Sequence, residues 1–147
     1  MTATDLTLAR ANAITEAALS EAARLGLKPL TVAVLDAGGH LLALQRQDGA
    51  SNLRPQIAVA KAAGALALGV SSRQIGVMAQ ERPQFIGALA SLGASAATGI
   101  IPAAGGVLIL DRDEHVVGAV GITGDTSDND EACAVVGVRA AELSPKI

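Results

Sequence analysis

The chain has 147 residues and a formal net charge of −3; half of its residues are hydrophobic and 17% are charged. That is enough chain for one domain with its own core, and too apolar a composition for a disordered segment. There is no Trp, no Tyr and one Phe, Phe85, so the ring platforms on which single-stranded nucleic acids stack are missing, and the net charge has the wrong sign for a phosphate backbone.

Residues 5–25 carry Ala11, Ile14, Ala18, Ala22 and Leu25 at helical spacing, with Arg10, Glu16, Glu21 and Arg24 elsewhere, which predicts an amphipathic helix. Thr4 or Asp5 is placed to cap its start and Gly26 to end it. Two β-rich runs follow, Leu30 to Asp36 and Leu41 to Arg46, around the turn Ala37-Gly-Gly-His40, which reads as a hairpin closed by Asp48-Gly49. Residues 52–69 predict a helix with Pro55 in its first turn and Ile57, Lys61, Gly64 and Leu68 on one side. Ser71 or Ser72 caps a further helix bearing Ile75 and Met78. Beyond Pro83 a turn or two of helix carries Phe85, Leu89 and Leu92. Residues 93–106 are rich in Gly, Ala and Ser and read as a loop, with a short strand near Gly99–Ile101. Val107 to Leu110 and Val116 to Ile122 form a second hairpin. Ser127 or Asp128 then caps a last helix running to about Glu142. Strands arriving in hairpin pairs mean antiparallel pairing, so the fold class is α/β of the α+β kind: a central antiparallel sheet flanked by helices, in a single domain over 1–147.

Cys133 is the only cysteine, which excludes an intrachain disulfide and a cysteine-ligated zinc or iron–sulfur site. Met1 to Ala13 has no basic region followed by an apolar block, as a secretory signal has, and no stretch reaches the roughly 18 uninterrupted apolar residues of a membrane span. A cytoplasmic protein with no nucleic-acid or membrane partner is expected, and the low charged fraction points to self-association.

Several groups bear on chemistry. Arg46 is suited to gripping a carboxylate with two parallel hydrogen bonds, and Asp36 and Asp48 flank the same hairpin. Asp36 and Arg46 meet only if the hairpin register brings them together. His40 has the titration range of a general base and the donor atom of a metal or haem ligand; the alternative is a solvated turn residue. Lys61 stands alone among alanines, and if it faces the sheet it needs an anion, either a ligand carboxylate or a nearby Asp. The glycine-rich segments Gly105-Gly106 and Thr123-Gly124 let backbone approach a ligand, or let helix and sheet pack closely. They match neither the phosphate-binding loop nor the dinucleotide fingerprint. Asp125, Asp128, Asp130 and Glu131 read mainly as the acidic start of the last helix, with spacing unlike a calcium loop. His115 reads as an exposed turn residue. With the two histidines in different hairpins, no local His pair for a metal exists, and no metal site is assigned.

The segment from Val34 to Ala50 resembles the signature hairpin of the GlcG/HbpS-like family. The helix segment from Ile57 to Ala62 is similar to its next motif, and Gly105 to Val107, Val116 to Ile122 with Gly124, and Asp130 to Ala132 are similar to its C-terminal pattern. The resemblance covers nearly the whole chain. It implies a profilin-like fold with about five strands and assembly into homo-oligomers from dimer to octamer. It also implies a small-molecule or tetrapyrrole ligand, haem being bound by some members, kinship with the C-terminal domain of PduO corrinoid adenosyltransferases, and a place in catabolic operons. Some haem-binding relatives carry a histidine ligand in the first helix; residues 5–25 contain none, which leaves His40 or a hydroxyl such as Thr123 as iron ligand.

The expected function is therefore ligand binding, with a pocket formed by His40, Arg46, Lys61, Gly105 and Gly106 and rimmed by Thr123, Gly124 and Glu131. The alternatives are a small enzyme acting on a carboxylated metabolite, with Asp36, Asp48 or Glu131 moving a proton, or a non-catalytic accessory subunit.

Overall fold

The computed structural model describes residues 5–95 and 98–147. Five helices and five strands follow in the order α1 (Leu8–Leu25), β1 (Thr31–Asp36), β2 (Leu41–Arg46), α2 (Arg54–Leu68), α3 (Ser72–Glu81), α4 (Pro83–Ser95), β3 (Gly106–Leu110), β4 (Val116–Thr123), α5 (Ser127–Ala140) and β5 (Ser144–Lys146). The strands form one antiparallel sheet in the order β2-β1-β4-β3-β5. The expected α+β class and five-stranded antiparallel sheet are thus observed. Among the described residues no helix is long and apolar enough to cross a membrane.

Local differences have simple causes. The cap of α1 is Thr7, whose hydroxyl accepts the Arg10 N–H at 3.1 Å; Asp5 stands before the helix, and Thr4 lies outside the described residues. Thr126, rather than Ser127 or Asp128, caps α5 by accepting the Asn129 N–H. In both helices the cap hydroxyl accepts the N–H three residues on, and each helix begins one residue after that threonine. Residues 98–101 form no strand. The fifth strand is β5 at the C-terminus, where Ser144 to Lys146 pairs with Leu110 to Leu108.

Paired residues in a sheet share a face. One face presents Val32, Val34, Val107, Ile109, Val120 and Ile122, packed with Ala11, Ile14 and Ala18 of α1 and Cys133, Ala134 and Val138 of α5. The other presents Leu35, Leu108 and Ala119 to Ala62 and Ala65 of α2. Both faces of β1 are covered, which explains why it reads as an unbroken apolar run. On the α2 face two paired positions are glycines, Gly106 and Gly121. A Cβ at Gly121 would run into the Ala58 carbonyl oxygen, and one at Gly106 into that of Lys61. The helix therefore lies backbone-to-backbone on the sheet at that end, and only hydrogen atoms fit between.

The two hairpin turns share one construction. Asp36 Oδ1 accepts the N–H groups of Gly38 and His40, and Asp111 Oδ1 accepts those of Asp113 and His115. Each turn is followed by a register shift. The left-handed residue is Gly39 in the first, at φ 83°, and Glu114 in the second, at φ 63°. Glu114 thus occupies the position whose backbone favours glycine.

Candidate functional site

Lys61 points inward from α2 at the closest point of helix and sheet and is 3% exposed. Its ammonium donates to the Ile122 carbonyl at 2.9 Å and pairs with Asp130 at 3.4 Å. A side chain at Gly105 would crowd it, with a Cβ 2.7 Å from Nζ. Asp130, 1% exposed, also accepts the Asp125 N–H at 3.0 Å. Burial favours the neutral form of each partner: it holds the Asp130 carboxyl above its ordinary value and the Lys61 ammonium below its own. The anion that an inward Lys61 requires is therefore Asp130, and the pair ties α2 to α5 across the end of the sheet.

Around this pair the start of α5 is pinned by side chains. Asp125 accepts the Lys28 N–H, the Thr126 N–H and the Asn129 amide. These bonds, led by that from Asn129, hold its carboxyl down at about 2 against an ordinary 3.8. A folded value below the unfolded one contributes stability that is complete above pH 3.8 and disappears as pH falls towards 2. Asp125→Asn is therefore expected to flatten the acid limb of a urea-midpoint profile between about pH 4 and pH 2; an unchanged limb would contradict this. Glu131, placed beforehand at the pocket rim, is gripped through Nε of Arg73 at 2.9 and 3.0 Å, and Arg73 also bonds Asp128. Arg73 holds α3 to α5, and Ser72 Oγ accepts the Gly106 N–H at 2.6 Å beside it.

The register separates the first hairpin's polar groups. Thr31 pairs with Arg46, and Leu35 with Leu41. Asp36 and His40 thus lie at one end of the sheet, Arg46 at the other. Arg46, Lys61, Gly105, Gly106, Thr123, Gly124 and Glu131 gather at the second end, while His40 stands exposed beside the turn, about 20 Å from Arg46 at the usual rise per strand residue. The expected grouping of His40 with Lys61 is corrected accordingly: Lys61 bonds Ile122 near one end of the sheet, and His40 closes the turn at the other. Asp36 is engaged by its own turn, and Asp48 is exposed. Gly124 is needed for packing, since a Cβ there would lie 2.9 Å from Leu30 Cα.

One arginine at the second end was not singled out from the sequence. Arg54, in the first turn of α2, donates from Nη1 to Thr123 Oγ1 at 2.7 Å and from Nε to Ser51 Oγ at 3.2 Å. Arg46 donates to the Ala50 carbonyl at 2.7 Å. Arg54 precedes Lys61 by seven positions, two helical turns on the same face, and that spacing was the available signal. Among the described residues neither arginine makes an ion pair.

Beside these arginines an apolar groove of about 450 Å³ runs between β2 and α2. Leu44 forms one wall; Pro55, Val59, Ala60 and Ala63 form the other, with Gln56 and Gly99 at the edge. Val59 and Ala63 also line an adjoining recess of about 290 Å³ that ends on the Ala37–Gly39 turn. The hollow of about 530 Å³ between α1 and α5 differs in kind, being edged by Glu16, Ser20, Glu21 and Arg24. Asp111, Asp113 and His115 bring three potential ligand atoms together in the exposed β3–β4 turn, but the turn's own hydrogen bonds account for the arrangement.

The model of the family described as "Haem degrading protein HbpS-like" matches residues 6–139. The chain belongs to the HbpS-like family. No curated protein matches it. Among solved structures, PduOC in complex with haem is similar at a TM-score of 0.81 and 24% identity, over 97% of this chain and 99% of that one. The Klebsiella pneumoniae protein ORFY, of family DUF336, is similar at a TM-score of 0.79 and 28% identity, over 93% and 90%. HbpS is similar at a TM-score of 0.76 and 26% identity, over 95% and 92%. The likeness to PduOC, at 24% identity, is one of fold, and within the HbpS-like family this chain keeps that fold over nearly its full length.

Proposed function

We propose that this HbpS-like chain is a ligand-binding protein that holds a tetrapyrrole of the haem class against the groove between β2 and α2. The observation that carries the reading is the groove itself: an apolar wall of Leu44, Pro55, Val59, Ala60 and Ala63, of a size within the usual range of small-molecule sites. The family's description names haem, and the similar PduOC structure is a haem complex.

The lining residues fit the macrocycle better than the iron. None of them is His, Met, Cys or Tyr, the side chains that commonly ligate haem iron. His40, next to the turn that ends the adjoining recess, would be the residue to hold the iron. When bound, haem supplies redox or oxygen chemistry at its iron; the chain's part is to bind and orient the ring. Enzymatic proton transfer has less support, because Glu131 is held by Arg73 and Asp36 by its turn.

Titration with hemin tests the reading. A saturable Soret shift is expected, abolished in Val59→Glu, which puts a charge on the groove wall, and moved in position in His40→Ala. Absence of a saturable shift, or a Val59→Glu protein that folds by circular dichroism and binds hemin as before, would overturn it.

A further inference from the structure

The geometry points to a carboxylate-binding site at the open end of the groove, built from Arg46 and Arg54 over a row of threonines. It rests on the groove reading only for where the rest of the ligand lies.

Four observations converge there. First, Arg46, Thr31 and Thr123 form one row across three strands, since Thr31 pairs with Arg46 on one side and with Thr123 on the other. Paired residues share a face, and this is the face that α2 covers. Second, Arg54 reaches the same row from above through Thr123, and both arginines are anchored to neighbouring positions of one loop, Ala50 and Ser51. Both arginines thus serve the same end of the sheet, yet neither has a carboxylate partner among the described residues, in a chain whose net charge is negative. Third, Thr31 is fully buried and its hydroxyl has no hydrogen-bond partner, an uncommon state for a buried polar atom. Fourth, α2 begins here without a side-chain cap, so its positive end faces the same place.

Two positive charges at one end of the sheet with no ion-pair partner among the described residues favour an anion there. A carboxylate satisfies this geometry because each guanidinium offers two parallel donors to its two oxygens. The chemical class is thus an organic acid. It can arrive as the propionate edge of a tetrapyrrole lying along the groove, with its apolar ring against Val59 and Ala63, or as a free small carboxylic acid. Lys61 takes no part, since its charge is already answered by Asp130.

Three probes separate the cases: hemin, the dimethyl ester of hemin, and sodium succinate, each tested on the wild type, Arg46→Gln, Arg54→Gln and, as a charge-matched control in the β3–β4 turn, Arg112→Gln. Either site variant is expected to weaken hemin about tenfold or more while leaving the ester's affinity unchanged, and Arg112→Gln is expected to change neither. Hemin that binds all four proteins equally overturns the carboxylate site and leaves the groove reading standing. Succinate that raises the melting temperature of the wild type and of Arg112→Gln, but not of the two site variants, supports the site even when neither porphyrin binds; in that case the tetrapyrrole reading fails alone. No binding of any probe to the wild type overturns both.

Discussion

Gly121→Ala is expected to destabilise the protein by about 3 kcal/mol or more, at the upper end of overpacking costs. The added methyl group meets the Ala58 carbonyl oxygen, a backbone atom that no rotamer change can move aside. The helix must lift from the sheet, and lifting it breaks contacts of Ala62 and Ala65 with Leu35, Leu108 and Ala119 as well. Gly87→Ala, in α4, is the control: nothing lies within 4 Å of its Cβ position, and alanine is the better helix former, so no loss is expected. Urea denaturation of the two variants measures the difference. A Gly121→Ala midpoint close to that of the wild type would show that α2 does not lie where described.

Asp130→Ala carries the other large effect, a loss of about 3–5 kcal/mol. It strands the Lys61 ammonium in the interior with only the Ile122 carbonyl, and it deprives the Asp125 N–H of its acceptor. The pair's value lies in not being broken, so Lys61→Met combined with Asp130→Leu is expected to recover a good part of the loss. The pH dependence has a definite sign. Burial already holds Lys61 below its ordinary 10.5, and removal of Asp130 lowers it further. Between the folded and unfolded values the unfolded chain binds the extra proton, so the stability of Asp130→Ala rises with pH towards 10.5. A falling profile in that range, or a double variant no better than Asp130→Ala, would refute the account.

The sequence carried most of the elements, because periodicity and punctuation are local signals. The helix starting near Arg54, the glycine that follows α1 and both hairpins could be read directly. The N-caps slipped by one position or more at α1 and α5, where Thr, Ser and Asp crowd together and several side chains compete for the same role. β5 was missed because Ser144-Pro145-Lys146 has no alternation; it is a strand only because the edge of β3 offers it partners. The site was less legible than the fold. Whether Asp36 meets Arg46 depends on register, and register placed them at opposite ends. Lys61 had two equal readings because alanines surround it on every side of its helix, leaving no polar face to contrast with an apolar one. The groove had no signal at all, since it exists only in how α2 lies beside β2.

The strand order has a consequence for how the protein reaches this state. The neighbouring strands β1 and β4 are far apart in the chain, whereas β1–β2 and β3–β4 are local hairpins. Hairpins and helices of this size form within microseconds. Joining the two hairpins must instead close a loop that contains α2, α3 and α4, and the entropy of closure is lost before the central contacts form. α2 is also the helix that covers the join, resting on glycines that leave no tolerance for misalignment. The zipping of β1 to β4 beneath α2 is therefore the step expected to limit folding, and substitutions that disturb that seam are expected to slow refolding in stopped-flow as well as to weaken the folded state.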